Sequence, residues 1–365
     1  MTESTRTDIA ANEWSIDDHV MRLREWGTDT IHVLPQPPSV GPAELWIGSA
    51  ETCSLRLHDP MGRVSRLHAR LVCDNATKWL LHDLGSKNGI RLNGACCCST
   101  IALEPGDEIG IGGLTLIAES RRSVELRGFL ARLLGWRGER IQEIDHALRS
   151  IRMAATRRTA LVLRGDGDLV PIARAIHRRA FGVDRPFIVC DPRRRESGAT
   201  VRSSENYETG MRAFAAATGG SLCVRRLRLP KDIRSVVTAL RDPNARVRLV
   251  ICAPTPEDCS EHLAVPITVP PLASRFDELD QIITEYAEDA IAELGAPRTG
   301  FPAADRAWVR MHSSSSLPQI EKATLRLVAI RESRNLSNAA ARLGMAPVSL
   351  TRWIGRRQLP MHVEP

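Results

Sequence analysis

Ser65, Arg66, Lys87 and Asn88 sit in two short loops of hydroxyl, amide and cationic side chains, Ser65-Arg66 and Gly85-Ser-Lys-Asn-Gly89. Between them run two alternating apolar segments, His68–Cys73 and Lys78–Leu84, split by Asp-Asn-Ala-Thr, a pattern that predicts a β-hairpin. Loops at one end of a rigid β-scaffold are where binding side chains tend to sit. A second group, Ser349, Thr351, Arg352, Arg356 and Arg357, falls on the outer face and end of a predicted helix. The other face of that helix carries Leu350 and Ile354, four apart. Such a helix can enter a major groove, with Arg reading guanine edges or gripping phosphates. A third stretch, Arg164-Gly-Asp-Gly-Asp-Leu169, follows a predicted strand, at the place where a parallel α/β sheet holds phosphate on a helix N-terminus. A P-loop there would end in Gly-Lys-Ser/Thr. This one instead places Asp166 and Asp168, which repel a nucleotide phosphate.

Other chemistries find no footing. The ten histidines show no HExxH or paired ligand spacing, so no metal site is expected. No serine has the local context of a nucleophile elbow. Cys96, Cys97 and Cys98 are adjacent on a predicted strand, point to alternating faces and cannot all ligate one zinc; a satellite core or edge contact is the simpler reading. Phe and Tyr are scarce, which argues against a stacking platform for single-stranded nucleic acid. The expectation is a protein that is not an enzyme, with no cofactor and no catalytic residue.

The elements that position these groups follow from periodicity. A chain of 365 residues suggests two or three domains. It has no apolar run of transmembrane length, a polar N-terminus and no paired cysteine spacing, so a cytoplasmic location is expected. The formal charge of +7 is arginine-biased, with only four lysines, and Ile320–Pro365 carries a net +5. Residues 1–29 read as an N-terminal arm, loose or helical. Residues 30–119 read as a β-sandwich starting with strands at Thr30–Leu34 and Glu44–Ile47. It ends in a strand–turn–strand with Pro105-Gly106 at the turn. Residues 120–158 show helical stripes and read as a connector. From 159 to 312 strand and helix alternate: T-A-L-V-L-R, Leu169–Phe181, P-F-I-V-C, Glu205–Ala217, G-S-L-C-V, Lys231–Leu240, V-R-L-V-I-C-A and V-P-I-T-V. That alternation predicts a parallel sheet covered on both faces. Pro297–Ser316 suits a flexible join. Residues 313–365 then give three helices, Ile320–Glu332, Leu336–Leu343 and Pro347–Arg357, with Gly344 at the turn between the last two. The fold class expected is multidomain: an all-β sandwich, an α/β parallel-sheet domain and an all-α helix-turn-helix.

The combination S-x-x-H (Ser65 to His68), D-L-x-S-x-N-G (Asp83 to Gly89) and a later N-G resembles the forkhead-associated (FHA) domain, a β-sandwich that binds phosphothreonine peptides. By position, the resemblance implies that Ser65 bonds the phosphate while Arg66 and Lys87 add charge. Asn88 would hold the peptide backbone, and Gly48, His68 and Gly89 would be structural. A dianionic phosphate favours several charge-assisted donors. The family's usual Gly-Arg is Gly48-Ser49 here, which leaves Arg56 and Arg63 as replacements; the alternative is a fold that holds a partner without phosphate. I-A-R-A-I-H-R-R (172–179), R-P-F-I-V-C, A-A-T-G-G-S-L-C-V and V-P-P-L-A-S-R-F-D-E-L resemble the central AAA+ domain of sigma-54-dependent transcription activators. That domain's Walker B acids are replaced by Arg225-Arg226 and its sigma-contacting loop is missing, which implies an inactive ATPase. A-A-x-L-G-x-x-x-x-x-L-x-R-W resembles the Fis-type helix-turn-helix that ends those activators.

Together these resemblances imply a transcription regulator that senses a phosphothreonine partner, a Ser/Thr kinase or its substrate, and binds double-stranded DNA as a homo-oligomer. RNA polymerase or active sigma-54 activators would be further partners. The rivals are a phosphopeptide adaptor that never touches DNA and an ATP-hydrolysing activator with divergent motifs.

Overall fold

Ala69-Arg-Leu-Val-Cys73 buries every second side chain, and Trp79-Leu-Leu-His-Asp83 does the same, so the two pair with one face on a core and one outward. They are β5 and β6 of a computed structural model that describes residues 19–35, 43–73, 78–97, 99–156, 159–201, 203–254, 266–296, 301–356 and 359. The described residues fall in two compact units, one within Met1–Thr159 with Arg179–Phe181, the other within Ala160–Arg178 and Gly182–Pro365.

In the first unit the strands before β5 are β1 (Arg22–Glu25), β2 (Ile31–Val33), β3 (Ala43–Gly48) and β4 (Leu55–Arg56). After β6 come β7 (Ile90–Leu92), β8 (Ala95–Cys97), β9 (Ile101–Ala102), β10 (Glu108–Ile111) and β11 (Leu114–Glu119). They form two sheets, β2-β1-β11-β10-β7-β8 and β4-β3-β5-β6-β9. Leu23, Ile47, Leu71, Leu81, Ile109 and Leu116 are fully buried in the common core, each contributing about 1.5–3 kcal/mol of burial. The predicted hairpin is present, with Cys73 opposite Trp79; its connecting residues 74–77 lie outside the described residues.

Two expectations change. Arg22–Glu25 is not part of an arm: it pairs antiparallel with Leu116–Glu119 and buries Leu23. The expected turn is present at Pro105-Gly106, between β9 and β10, where the Asp107 amide donates to the Glu104 carbonyl at 3.0 Å; β9 and β10 belong to different sheets, and the tight hairpin is Ile111 to Leu114 through Gly112-Gly113. Residues 120–158 are not a bare connector. They form α1 (Arg121–Leu134) and α2 (Ile141–Thr156), and α1 opens on a reciprocal capping box between Ser120 and Ser123. Asp145 of α2 reaches the fully buried Arg24 of β1, which also meets Glu119 of β11, Nε to Oε1 at 2.8 Å. Arg152 of α2 binds Asp107 and the Gly106 carbonyl, and the Arg149 guanidinium lies 4.0 Å over the Trp26 ring. Cys96 and Cys97 lie on β8, an edge strand, with Cys96 exposed; Cys98 is outside the described residues.

In the second unit β12 (Leu161–Arg164), α3 (Val170–Phe181), β13 (Phe187–Cys190), β14 (Glu205–Tyr207), α4 (Gly210–Ala216) and β15 (Ser221–Arg225) come first. Then follow α5 (Ile233–Leu240), β16 (Arg248–Ala253) and β17 (Ile267–Thr268). All six strands run parallel in the order β14-β13-β15-β16-β12-β17, as the alternation predicts. One segment differs: Glu205–Tyr207, expected in a helix, is an edge strand on β13, and the helix starts only at Gly210.

His177 of α3 is buried against this sheet. Its Nδ1 meets Ser221 Oγ at 2.8 Å and its Nε2 meets the Arg185 carbonyl at 3.0 Å. Burial pushes its pKa down to about 4. Below pH ~6.5 the unfolded chain takes up a proton that the folded chain refuses. Stability contributed by this site is therefore whole above pH ~6.5 and lost progressively as the pH falls towards 4, by up to about 3 kcal/mol. Urea unfolding at pH 7 and at pH 5 should show that loss, and His177→Gln should flatten it. Parallel pH dependence in the two proteins would refute the assignment.

The C-terminal region is helical: α6 (Leu279–Leu294), α7 (Ala303–His312), α8 (Leu317–Arg331), α9 (Leu336–Arg342) and α10 (Pro347–Gly355). The expected flexible join at Pro297–Ser316 is corrected by α7 from Ala303 on; 297–300 lie outside the described residues. Asp305 on it pairs with Arg331 of α8, Nε to Oδ2 at 2.9 Å, and Trp308 packs on Trp353 of α10 with ring centroids 5.5 Å apart. Gly344, at φ +58°, makes the turn from α9 to α10, and Asn335 caps α9 by accepting from the Asn338 amide at 2.9 Å. Among the described residues no helix is long and apolar enough to cross a membrane.

Candidate functional site

The segment after β3 and the segment before β5 zip together. The His68 amide donates to the Ile47 carbonyl at 2.8 Å, Ser49 to Ser65 at 3.1 Å and Ala50 to Arg66 at 3.1 Å. This brings the backbone of Arg66 so close to Gly48 that a Cβ on Gly48 would lie 2.1 Å from the Arg66 carbonyl oxygen. Only glycine allows that approach. Position 49 is thereby held beside Ser65, and its serine hydroxyl turns inward to the Val64 carbonyl, 3.3 Å away.

His68 fixes both loops from below. It is fully buried. The Ser65 amide donates to its Nδ1 at 3.0 Å, so the proton sits on Nε2, which faces the Gly89 carbonyl at 3.2 Å. One ring thus ties the loop before β5 to the loop after β6. The second loop closes on the first through Lys87, whose amide donates to Ser65 Oγ at 3.1 Å, and through Asn88, whose Nδ2 donates to the Arg63 carbonyl at 2.7 Å. Each loop has its own carboxylate brace. The Asp83 Oδ1 accepts the Ser86 amide at 3.0 Å, and Asp59 accepts the amides of Met61 at 3.0 Å and Arg63 at 2.8 Å. Desolvation pushes the Asp59 carboxyl up, but the amides of Met61, Arg63, Gly113 and Val64 outweigh it and hold the group below the usual carboxylate range.

All four predicted rim residues therefore converge. Ser65 is half-buried, and Arg66, Lys87 and Asn88 are exposed. Among the described residues neither Arg66 nor Lys87 has an ion-pair partner, while Ser86 Oγ is buried without a hydrogen bond. Arg56 is the cross-strand neighbour of Gly48, its side chain 59% exposed and only loosely paired with Glu51 at 3.5 Å. Asp59 has no place in the sequence reading, and Ser86 enters it only as the serine of D-L-x-S-x-N-G. The turn chemistry of Asp59-Pro-Met-Gly is the available signal for the first.

The other predicted group is arranged as expected on α10. Leu350 and Ile354 are buried, with Trp353, and Val348, Ser349, Thr351, Arg352 and Arg356 are exposed; Arg357 lies outside the described residues.

Residues 45–112 match the FHA domain family. The FhaA FHA domain, solved with the intracellular domain of Rv3910, is 29% identical over 26% of this chain and 96% of that one, with a TM-score of 0.23. An FHA domain from a study of phosphothreonine-dependent FHA domain interactions is 28% identical, covering 27% of this chain and 93% of that one, TM-score 0.23. The N-terminal FHA domain of S. cerevisiae Rad53p, solved with a phosphothreonine peptide, is 23% identical over 28% and 95% of the two chains, TM-score 0.25. No curated protein matches the chain. Glycine-48 packing, the buried histidine and the two closed loops lie within the matched residues, and residues 45–112 are an FHA domain.

Proposed function

We propose that the FHA domain of this protein binds phosphothreonine segments of another protein at the Ser65–Asn88 rim. The observation that carries this is the Lys87 amide on Ser65 Oγ. It satisfies the hydroxyl as acceptor and leaves its O–H to donate to a phosphate oxygen. Arg66 and Lys87 bring unneutralised positive charge to the same rim, as a dianion requires. Ser49 supplies none, and Arg56, beside Gly48 on the neighbouring strand, is the replacement this reading assigns. The partner class is a Ser/Thr kinase or its substrate. Fluorescence anisotropy with matched phosphorylated and unphosphorylated threonine peptides tests it: much tighter binding of the phosphorylated set is expected. Equal binding of both sets would favour a partner held without phosphate.

The remainder of the reading is a cytoplasmic, homo-oligomeric transcription regulator. Its parallel-sheet domain is a non-hydrolysing relative of sigma-54 activator ATPases, and its C-terminal helices bind double-stranded DNA. Support for DNA contact comes from α10, whose polar and cationic residues face away from Leu350, Trp353 and Ile354. Full-length protein titrated on genomic fragments at several salt concentrations should bind selectively, and Arg352→Ala should weaken binding about five- to a hundredfold, one lost base or phosphate contact. Selective binding untouched by Arg352→Ala would place the DNA contact away from Arg352, and no selectivity at physiological salt would leave the adaptor reading.

A further inference from the structure

The second unit holds a chain of opposite charges at the carboxyl ends of its strands, built on Asp168 and Arg225, the residues on which the non-hydrolysing reading rests. Asp168 lies in the loop between β12 and α3; its Oδ1 accepts from the Val170 amide in the first turn of α3 at 3.3 Å and from Arg225 Nη2 at 2.9 Å. Arg225 ends β15, and its Nη1 donates to Asp191 Oδ2 at 3.0 Å. Asp191 follows β13 and is fully buried. Arg228 Nη1 donates to the same Oδ2 at 3.1 Å, and Arg194 Nε lies 3.6 Å from it. Asp191 Oδ1 accepts the Arg193 amide at 3.1 Å, and the Asp191 backbone is tied to Asn206 of β14. One guanidinium therefore bridges the ends of β12, β13 and β15.

In open parallel sheets this crevice is where ligands bind, with an anionic group on the helix N-terminus and a counter-charge across from it. Here the chain's own carboxylate stands at the helix N-terminus and its own guanidinium stands across. We propose that the crevice is self-liganded: the Asp168–Arg225–Asp191 bridge takes the place of a phosphate ligand and its counter-ion, ordering the β12–α3 loop while excluding nucleotide. The mechanism is electrostatic. A phosphate approaching α3 meets the Asp168 carboxylate first, and Asp166 beside it. Displacing Asp168 would strip Arg225 of one partner and leave a partly buried carboxylate to be resolvated. Burial pushes the Asp168 carboxyl up, but the charge and hydrogen bond of Arg225, the Val170 amide and the charge of Lys322 hold it below the ordinary range, so it stays anionic at neutral pH. The proposal is independent of the phosphopeptide reading, which concerns the other unit.

Amide hydrogen exchange by mass spectrometry on the full chain tests it. In wild type, the peptide spanning Arg164–Val170 should be protected, and millimolar Mg-ATP should not change that protection. Arg225→Ala should raise exchange there about tenfold or more, because the loop loses its tie to the end of β15, while exchange in β5 and β6 stays as it was. If Arg225→Ala unfolds the whole unit, Arg225→Lys gives the reading. Its single ammonium cannot span both carboxylates, so raised exchange confined to Arg164–Val170 supports the bridge. Extra protection by Mg-ATP in wild type, or unchanged loop exchange in Arg225→Ala or Arg225→Lys, would overturn it.

Discussion

Arg24→Ala should destabilise the first unit by about 3–5 kcal/mol, towards the lower figure. The side chain is fully buried and shared by two buried carboxylates, Glu119 and Asp145. Removing it leaves both in low dielectric with one cation fewer. Arg22 still reaches Glu119 at 2.7 Å and the Gly27 amide still reaches Asp145 at 2.9 Å, which limits the loss. Urea unfolding followed by tryptophan fluorescence reads it, since Trp26 and Trp79 lie in this unit. The charge explanation makes a second demand. Arg24→Met with Asp145→Leu should recover more than half of the loss, because an apolar pair of similar volume needs no counter-ion. It also predicts that a fragment ending at Glu119 is less stable than one ending at Thr156, since only the longer one contains Asp145. Equal stabilities for those fragments would mean that α2 merely sits on the sandwich.

That ion cluster shows what sequence could and could not convey. Period-two burial in β5 and β6 and glycine-rich loop chemistry are local, so the hairpin and the rim were legible from Val64 to Gly94. So were the parallel strands, as short apolar runs, and the two faces of α10. Arg24 meeting Asp145 spans 121 positions, and nothing in either neighbourhood announces the other. A charged strand residue reads as exposed until its partner is known, which is why Arg22–Glu25 reads as an arm and 120–158 as a connector. Glu205–Tyr207 was missed for a similar reason. Its strand character comes from pairing with β13 and from Asn206 satisfying the backbone of Asp191, not from any β-branched run. The Ser313–Ser316 run looked like a linker on composition, yet Ser313 is buried at the end of α7.

Ser65→Ala should weaken binding of a phosphothreonine peptide about tenfold to a hundredfold, the measure of one hydrogen bond to a charged group. The same change should leave the weak binding of the unphosphorylated peptide untouched. The reason for choosing Ser65 over Lys87 or Asn88 is structural. Its hydroxyl is positioned by the Lys87 amide and its own amide by His68, so truncation removes a fixed donor and leaves the loop anchored through His68. Asn88→Ala, by contrast, also cuts the tie to the Arg63 carbonyl, and its effect mixes recognition with loop order. Lys87→Ala and Arg56→Ala remove solvent-exposed charge, so their effects should be smaller and should shrink as salt is raised. Phosphate chemistry adds a pH test. The second ionisation of a phosphothreonine lies near pH ~6. Affinity should therefore fall as the pH is lowered through that value, and fall less in the Lys87→Ala and Arg56→Ala variants, which have given up part of the charge that distinguishes dianion from monoanion. A Ser65→Ala protein that keeps full phosphopeptide affinity with the wild-type pH profile would place the phosphate elsewhere on the domain. Loss of affinity for both peptides alike would show that Ser65 shapes the loop rather than meeting the phosphate.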